Sequence, residues 1–325
     1  MKILFTSTQL TSFISQDLDL LRKHHTVDHV TTRGIFAPFT ILRHISGVHT
    51  TFTWFASVYS CAVVFLARRK KKRSILVIGG VDVARVPEMR YGIWLSPWKR
   101  PLVGYALRNA SRVLAVDESL KEKAIRQARY SGTNIVCIPT GYDASRWHPQ
   151  GQKESFVLTV AKCEDEWKLK VKGIDRLLEC ARLLPDVRFV VVGLAAQLAK
   201  RVGPNVSPNV ELVDMIEQSR LLRWYQRARV YCQPSYSEGF PNSVCEAMLC
   251  ECVPVGTNVG GIPHAIGDSG FVVPYGDVPR LAEAIEKALT SPVSLARSAR
   301  ARISEHFTLE KRESSLVRIL EETMK

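Results

Sequence analysis

The sequence holds no low-complexity tract and no internal repeat, which sets aside disordered tails, solenoids and propellers. Its longest apolar stretch lies within FTWFASVYSCAVVFLARRKKKR (52–73) and runs directly into basic residues and the apolar run SILVIGG. It falls short of the roughly 20 residues of a spanning helix, so a helix packed on a sheet is expected there. No Gly-x-Gly-x-x-Gly follows a strand: neither VIGGVDV nor VVGLAAQ supplies it, which excludes a Rossmann dehydrogenase. Metal-ligand spacing is also missing. The 8 cysteines are scattered, mostly in apolar runs, and the tightest pair, Cys250 and Cys252, has no second pair beside it. They read as buried structural thiols in a reducing compartment, with no metal site. The opening MKILFTST lacks a long apolar core after a basic start, so it reads as a strand rather than a cleavable leader, and a cytoplasmic location is expected. Trp54, Trp94, Trp98 and Trp147 lie in a basic half without any recognised nucleic-acid-binding motif. No nucleic-acid partner is expected, although a basic nucleic-acid-binding protein is the low alternative.

What is present is the rhythm of an α/β protein. At 325 residues the chain suits two domains, each able to bury its own core. MKILFTST, SILVIGG (74–80), RVLAVD (112–117) and NIVCIP (134–139) read as strands among helical segments. PTGYDASRWHPQGQKES (139–155) breaks the rhythm and reads as a linker. Strands then return at 156–162, 187–193, 209–213, 229–235, 252–257 and 270–273, with helices between them. The fold class is α/β, two doubly wound Rossmann-like domains facing a cleft: residues 1–148, then 149–305, with a last helix (306–325) crossing back onto the first.

Within SEGFPNSVCEAML (237–249), Glu238 follows the strand RVYCQPS, at the end of a strand where open α/β sheets bind ligands. A helix opening after Gly239 and Pro241 presents backbone N–H groups and a positive dipole end to an anion or to sugar hydroxyls. The competing reading is an ordinary helix capped by Asn242 or Ser243, with Glu246 complementing its dipole. The 41-residue run SEGFPNSVCEAMLCECVPVGTNVGGIPHAIGDSGFVVPYGD (237–277) closely resembles the donor-binding core of the family-4 retaining glycosyltransferases (glycosyl transferases group 1) of the GT-B fold.

That resemblance implies a nucleotide-sugar substrate held by Glu238, by the backbone at Gly239, Phe240 and Pro241, and by Asn242, with Glu246 on the ribose. VAKCEDEWKLKVKGIDRLL (160–178) resembles the family's strand, basic residue and Lys-Gly helix start, which implies that Lys162 and Lys172 neutralise the donor diphosphate. Fixed cations lower the barrier to departure of an anionic leaving group. Glu238, Lys172 and Lys162 are then the catalytic candidates, with retention of configuration and neither metal nor separate cofactor.

The first domain departs from this pattern. Where the family carries a Gly-Gly loop, TSTQLTSF (6–13) offers Ser7 or Thr8, and in IGGVDVARVPE (78–88) Gly79 stands where relatives have His. Asp82 is a candidate for acceptor or donor contact, or else a turn residue. A catalytically impaired relative is therefore an alternative. Residues 1–148 carry 22 Lys+Arg against 9 Asp+Glu, and the run Arg68, Arg69, Lys70, Lys71, Lys72, Arg73 is expected to face an anionic membrane surface. The expectation is a peripheral enzyme on the inner membrane face, acting on a glycan or lipid-linked acceptor. DLD (17–19) sits in an amphipathic helix pattern, where solvent exposure is expected.

Overall fold

The computed structural model describes residues 1–34 and 36–324, without the side chain of Asn205; the last position of the expected terminal helix, Lys325, lies outside the described residues. The chain forms two units, Met1–Gly141 with Leu309–Lys325, and Tyr142–Thr308.

The first unit runs β1 (Lys2–Ser7), α1 (Ser12–His24), β2 (Thr26–Thr31), α2 (Ala37–Ile45), β3 (Thr50–Trp54), α3 (Val58–Arg69), β4 (Arg73–Ile78), α4 (Lys99–Asn109), β5 (Arg112–Ala115), α5 (Glu118–Ala128) and β6 (Ile135–Cys137). All strands pair in parallel, in the order β2-β1-β3-β4-β5-β6. Helices on both faces bury β1, β3 and β4, which is why these strands read as continuous runs rather than alternating ones. The crossover from β1 to β2 runs against the direction of all later ones. Because crossovers are right-handed, α1 lies on one face and α2, α3, α4 and α5 lie side by side on the other.

The second unit runs β7 (Glu154–Cys163), α6 (Glu166–Val171), α7 (Ile174–Leu183), β8 (Arg188–Leu194), α8 (Ala196–Val202), β9 (Val210–Asp214), α9 (Gln218–Arg227), β10 (Ala228–Gln233), α10 (Asn242–Leu249), β11 (Val253–Thr257), α11 (Ile262–Ile266), β12 (Phe271–Val273), α12 (Val278–Thr290) and α13 (Val293–His306). Its parallel sheet has the order β12-β11-β10-β7-β8-β9. β7 and β10 are adjacent but far apart in sequence, so the strand order reverses between them. Their carboxyl ends mark the topological switch point. α14 (Leu309–Met324) returns to the first unit and packs on α1.

Several expectations need correction. The apolar segment 52–73 is not one helix: β3 ends at Trp54, Phe55 takes a left-handed φ of 69°, and α3 begins at Val58 behind a Ser57–Ser60 capping box. Asp17 is buried, not exposed. Its carboxylate receives Arg312 from α14 at 2.7 Å and the Trp54 indole N–H at 3.1 Å. The division between units falls at Gly141 and Tyr142, ahead of the expected 148 and 149. Tyr142 donates its N–H to Phe307 and its hydroxyl to Asn242, while Arg300 binds the carbonyls of Ala144 and Trp147, so this stretch is part of the second unit.

Candidate active site

The site is built at the carboxyl ends of β7 and β10. After α6, Lys172 continues in helical geometry and Gly173 turns left-handed at φ 67°. A Cβ on Gly173 would stand 1.8 Å from the Pro234 carbonyl oxygen, so only glycine lets this corner press against the loop after β10. The Tyr236 N–H to Val171 carbonyl bond, 2.8 Å, fastens the two together. The result places the Lys172 ammonium 2.8 Å from a Glu238 carboxylate oxygen. The same oxygen accepts from Gln233 Nε2 and Ser235 Oγ, each at 3.2 Å.

Gln233 organises the layer beneath. Its amide oxygen receives the Tyr231 and Ser243 hydroxyls at 2.9 and 3.2 Å, and its amide nitrogen also donates to Ser235 at 2.8 Å. From the side, Gly260 adopts φ 58° against the Glu238 carbonyl, where a Cβ would approach to 2.2 Å, and the Gly261 N–H donates to the Gly239 carbonyl. Glu238 is thus fixed by strand, loop and two left-handed glycines.

The other expected donor-side residues have separate surroundings. Glu246 is buried on α10 and faces α9, accepting from the Tyr225 hydroxyl at 3.1 Å and the Gln218 amide at 3.4 Å. Burial pushes its pKa up to about 7, against the opposing pull of the Tyr225 hydrogen bond and Arg146. Its partners are distinct from those of Glu238. The Phe240 ring is buried among Tyr142, His264 and Phe307. Pro241 sits at the helix boundary, and no side chain caps α10. Asn242 receives the Tyr142 hydroxyl at 2.6 Å and Ser243 binds Gln233, so neither supplies the cap of the competing reading. Lys162 stands apart, its side chain 74% exposed and 3.5 Å from Glu164.

In the first unit, the Ser7 hydroxyl is buried against His29 at 3.2 Å, and its carbonyl takes the Thr32 N–H. Asp82 is buried too. Its carboxylate accepts the N–H groups of Ala56, Gly79 and Gly80 at 2.7 to 3.2 Å, and burial holds its pKa at about 6 despite those bonds. It organises the turn after β4, the second of the roles expected for it. The place a side chain at Gly79 would need is filled: a Cβ there would meet the Phe55 ring at 2.6 Å. Sequence reasoning missed Gln233, Ser235 and Gly260. A polar residue closing the apolar strand RVYCQ was the available signal for Gln233.

Residues 156–291 match the family model described as glycosyl transferases group 1. The chain has the fold of the GT-B glycosyltransferases, as in Anabaena Alr3699/HepE solved in complex with UDP, at TM-score 0.79 and 16% identity over 99% of this chain and 100% of that one. A D-inositol 3-phosphate glycosyltransferase of Mycobacterium sp. (strain JLS) is 35% identical over 58% of this chain and 47% of its own length. The capsular polysaccharide biosynthesis glycosyltransferase CapM of Staphylococcus aureus is 25% identical over 61% of this chain and 58% of its own. The chain thus spans about half the length of these curated relatives.

Proposed function

We propose that this chain is a retaining, metal-independent glycosyltransferase that moves a sugar from a nucleotide-sugar donor to an acceptor hydroxyl on a lipid-linked or otherwise anionic glycan. In this reading it works in the cytoplasm, peripherally on the inner membrane face. The observation that carries the reading is the Lys172–Glu238 pair at the switch point of the second sheet, held by Gly173 and Gly260. When a donor enters, Lys172 turns to the diphosphate, and Glu238, still held by Gln233 and Ser235, keeps its acceptor capacity for sugar hydroxyls. Lys162 joins by leaving Glu164, a surface pair of little strength. As the bond from the anomeric carbon to the diphosphate oxygen breaks, its charge is met by the two lysines, and the acceptor hydroxyl forms the new bond from the same face while passing its proton to the departing diphosphate oxygen. Glu246 takes the ribose hydroxyls.

Uridine nucleotides are the first donors to try, because HepE was solved with UDP. A thermal-shift screen of nucleotide sugars, followed by product analysis with the best donor, tests the reading: a shift and a product of unchanged anomeric configuration are expected, and no shift with any nucleoside diphosphate sinks it. A donor-binding relative with impaired transfer is the second reading, favoured by the buried Ser7 and by Phe55 filling the space at Gly79. Donor binding without product, across a broad acceptor panel, selects it.

A further inference from the structure

The surface over α2, α3 and α4 has an unusual composition. From residue 29 to residue 81 the sequence contains no Asp or Glu, and α4 has none either. α2 buries Ala37, Ile41 and Ile45 against the core yet turns a second apolar stripe outward, with Phe36 70%, Phe39 72% and Leu42 45% exposed beside the exposed Arg43. At the start of α4, Trp98 is 61% exposed with the Lys99 ammonium 5.3 Å from its ring centre. Between the amino-terminal ends of α2, α3 and α4 lies a groove of about 540 Å³, lined mainly by Pro38, Val58, Ala62, Ile93 and Trp98, with Lys99 and the hydroxyl residues Thr8 and Ser57 also on its wall. In a parallel sheet those helix ends sit at the carboxyl edge of the strands, the edge that binds ligands.

The basic run is at the wrong end for this groove. Arg68 and Arg69 close α3 and Arg73 opens β4, so the run lies a helix length away, about 18 Å for 12 residues. We infer that the first unit docks on an anionic lipid surface through α2, with Phe39 and Leu42 entering the acyl boundary and the groove receiving the hydrocarbon of an anionic lipid whose headgroup meets Lys99. Apolar side chains supply the insertion, and helices α2, α3 and α4, which carry no carboxylate and leave the exposed Glu88 of the β4–α4 connection as the acidic residue nearest in sequence to the groove wall at Ile93, supply the preference for negative headgroups. The Arg68–Arg73 run adds long-range attraction and is not the contact itself. This deepens the acceptor side of the proposed function and rests on it only in taking the lipid as acceptor.

The test is flotation of the full chain with vesicles of phosphatidylglycerol and phosphatidylcholine, against phosphatidylcholine alone. Preferential binding to the anionic vesicles is expected, and the exposed-site double variant Phe39→Ser/Leu42→Ser lowers it by about tenfold or more. Lys70→Gln/Lys71→Gln lowers it by about threefold or less, whereas a direct contact at about 1 kcal/mol per lysine would give roughly 30-fold. Equal binding to both vesicles, binding to neither, or the reverse order of the variants overturns the inference. So does a wild-type dimer that Phe39→Ser/Leu42→Ser converts to monomer, since a second copy then covers the stripe. UDP thermal shifts on the same proteins keep the two readings separate: a normal shift without vesicle binding removes the docking surface alone, and vesicle binding without any nucleotide shift removes the donor site alone.

Discussion

Glu246 is a carboxylate that folding has moved away from water, and its consequences show most directly as pH dependence. Its folded pKa of about 7 lies above the ordinary value of 4.5, so the native state holds a proton that the unfolded chain releases. Stability from this group is therefore full below about pH 4.5, falls as pH rises toward 7, and stays reduced above it. Glu246→Gln is expected to be about 3 kcal/mol more stable than wild type at pH 8, with the advantage falling below about 1 kcal/mol at pH 5, as read by denaturant titration at both values. An equal difference at both pH values would show that Glu246 is charged throughout. What the sequence showed here was the carboxylate and its spacing. Its proton affinity was hidden, because burial against Tyr225 and Gln218 comes from α9, a helix whose facing residues no local pattern around Glu246 reveals.

Among the elements, the corner between α6 and α7 and the return of α14 each depend on one position. Gly173→Ala puts a methyl on the Pro234 carbonyl in a left-handed backbone, so the corner must move and Lys172 with it. A loss of at least about 2 kcal/mol and about 100-fold in the proposed sugar transfer is expected, measured by thermal unfolding and initial rates. Retained activity would mean that the corner does not position Lys172. Asp17→Ala leaves Arg312 buried without its anion and strands the Trp54 indole N–H, for an expected cost of about 3 to 5 kcal/mol by denaturant unfolding. A change below about 1 kcal/mol would show that the Asp17–Arg312 pair does not hold α14, leaving that to apolar packing and to the bonds of Arg312 with the Ile138 and Pro139 carbonyls. These elements were unevenly legible. The runs at β4, β7 and β8 are apolar and bounded by turn residues, and they read correctly. β2 is half-polar at the sheet edge, and β3 merges in sequence with α3, so neither carried a usable period. The partnership of Asp17 and Arg312 spans nearly the whole chain, beyond the reach of any local pattern.

Across the whole molecule the net charge of +14 lies almost entirely in the first half, where a basic surface was legible from counting alone. The proposed contact face was not, because the conspicuous basic run draws attention to the end of α3, whereas the exposed Phe39 and Leu42 of α2 and Trp98 ahead of α4 lie far apart in sequence. The second half showed its candidate site more fully, since Glu238 and Lys172 lie in two compact runs that the switch point brings together, although the role of Gly260 was not legible. In the proposed function this junction holds the diphosphate of a nucleoside diphosphate. Isothermal titration of UDP and UDP-sugars into wild type, Lys172→Met and Lys168→Met tests it most directly, because Lys168 is a nearby lysine paired with Glu164 on the surface. Binding to wild type is expected, with about tenfold or greater loss in Lys172→Met and no more than about twofold in Lys168→Met. No binding of any nucleoside diphosphate to wild type, or equal losses in the two variants, would contradict it.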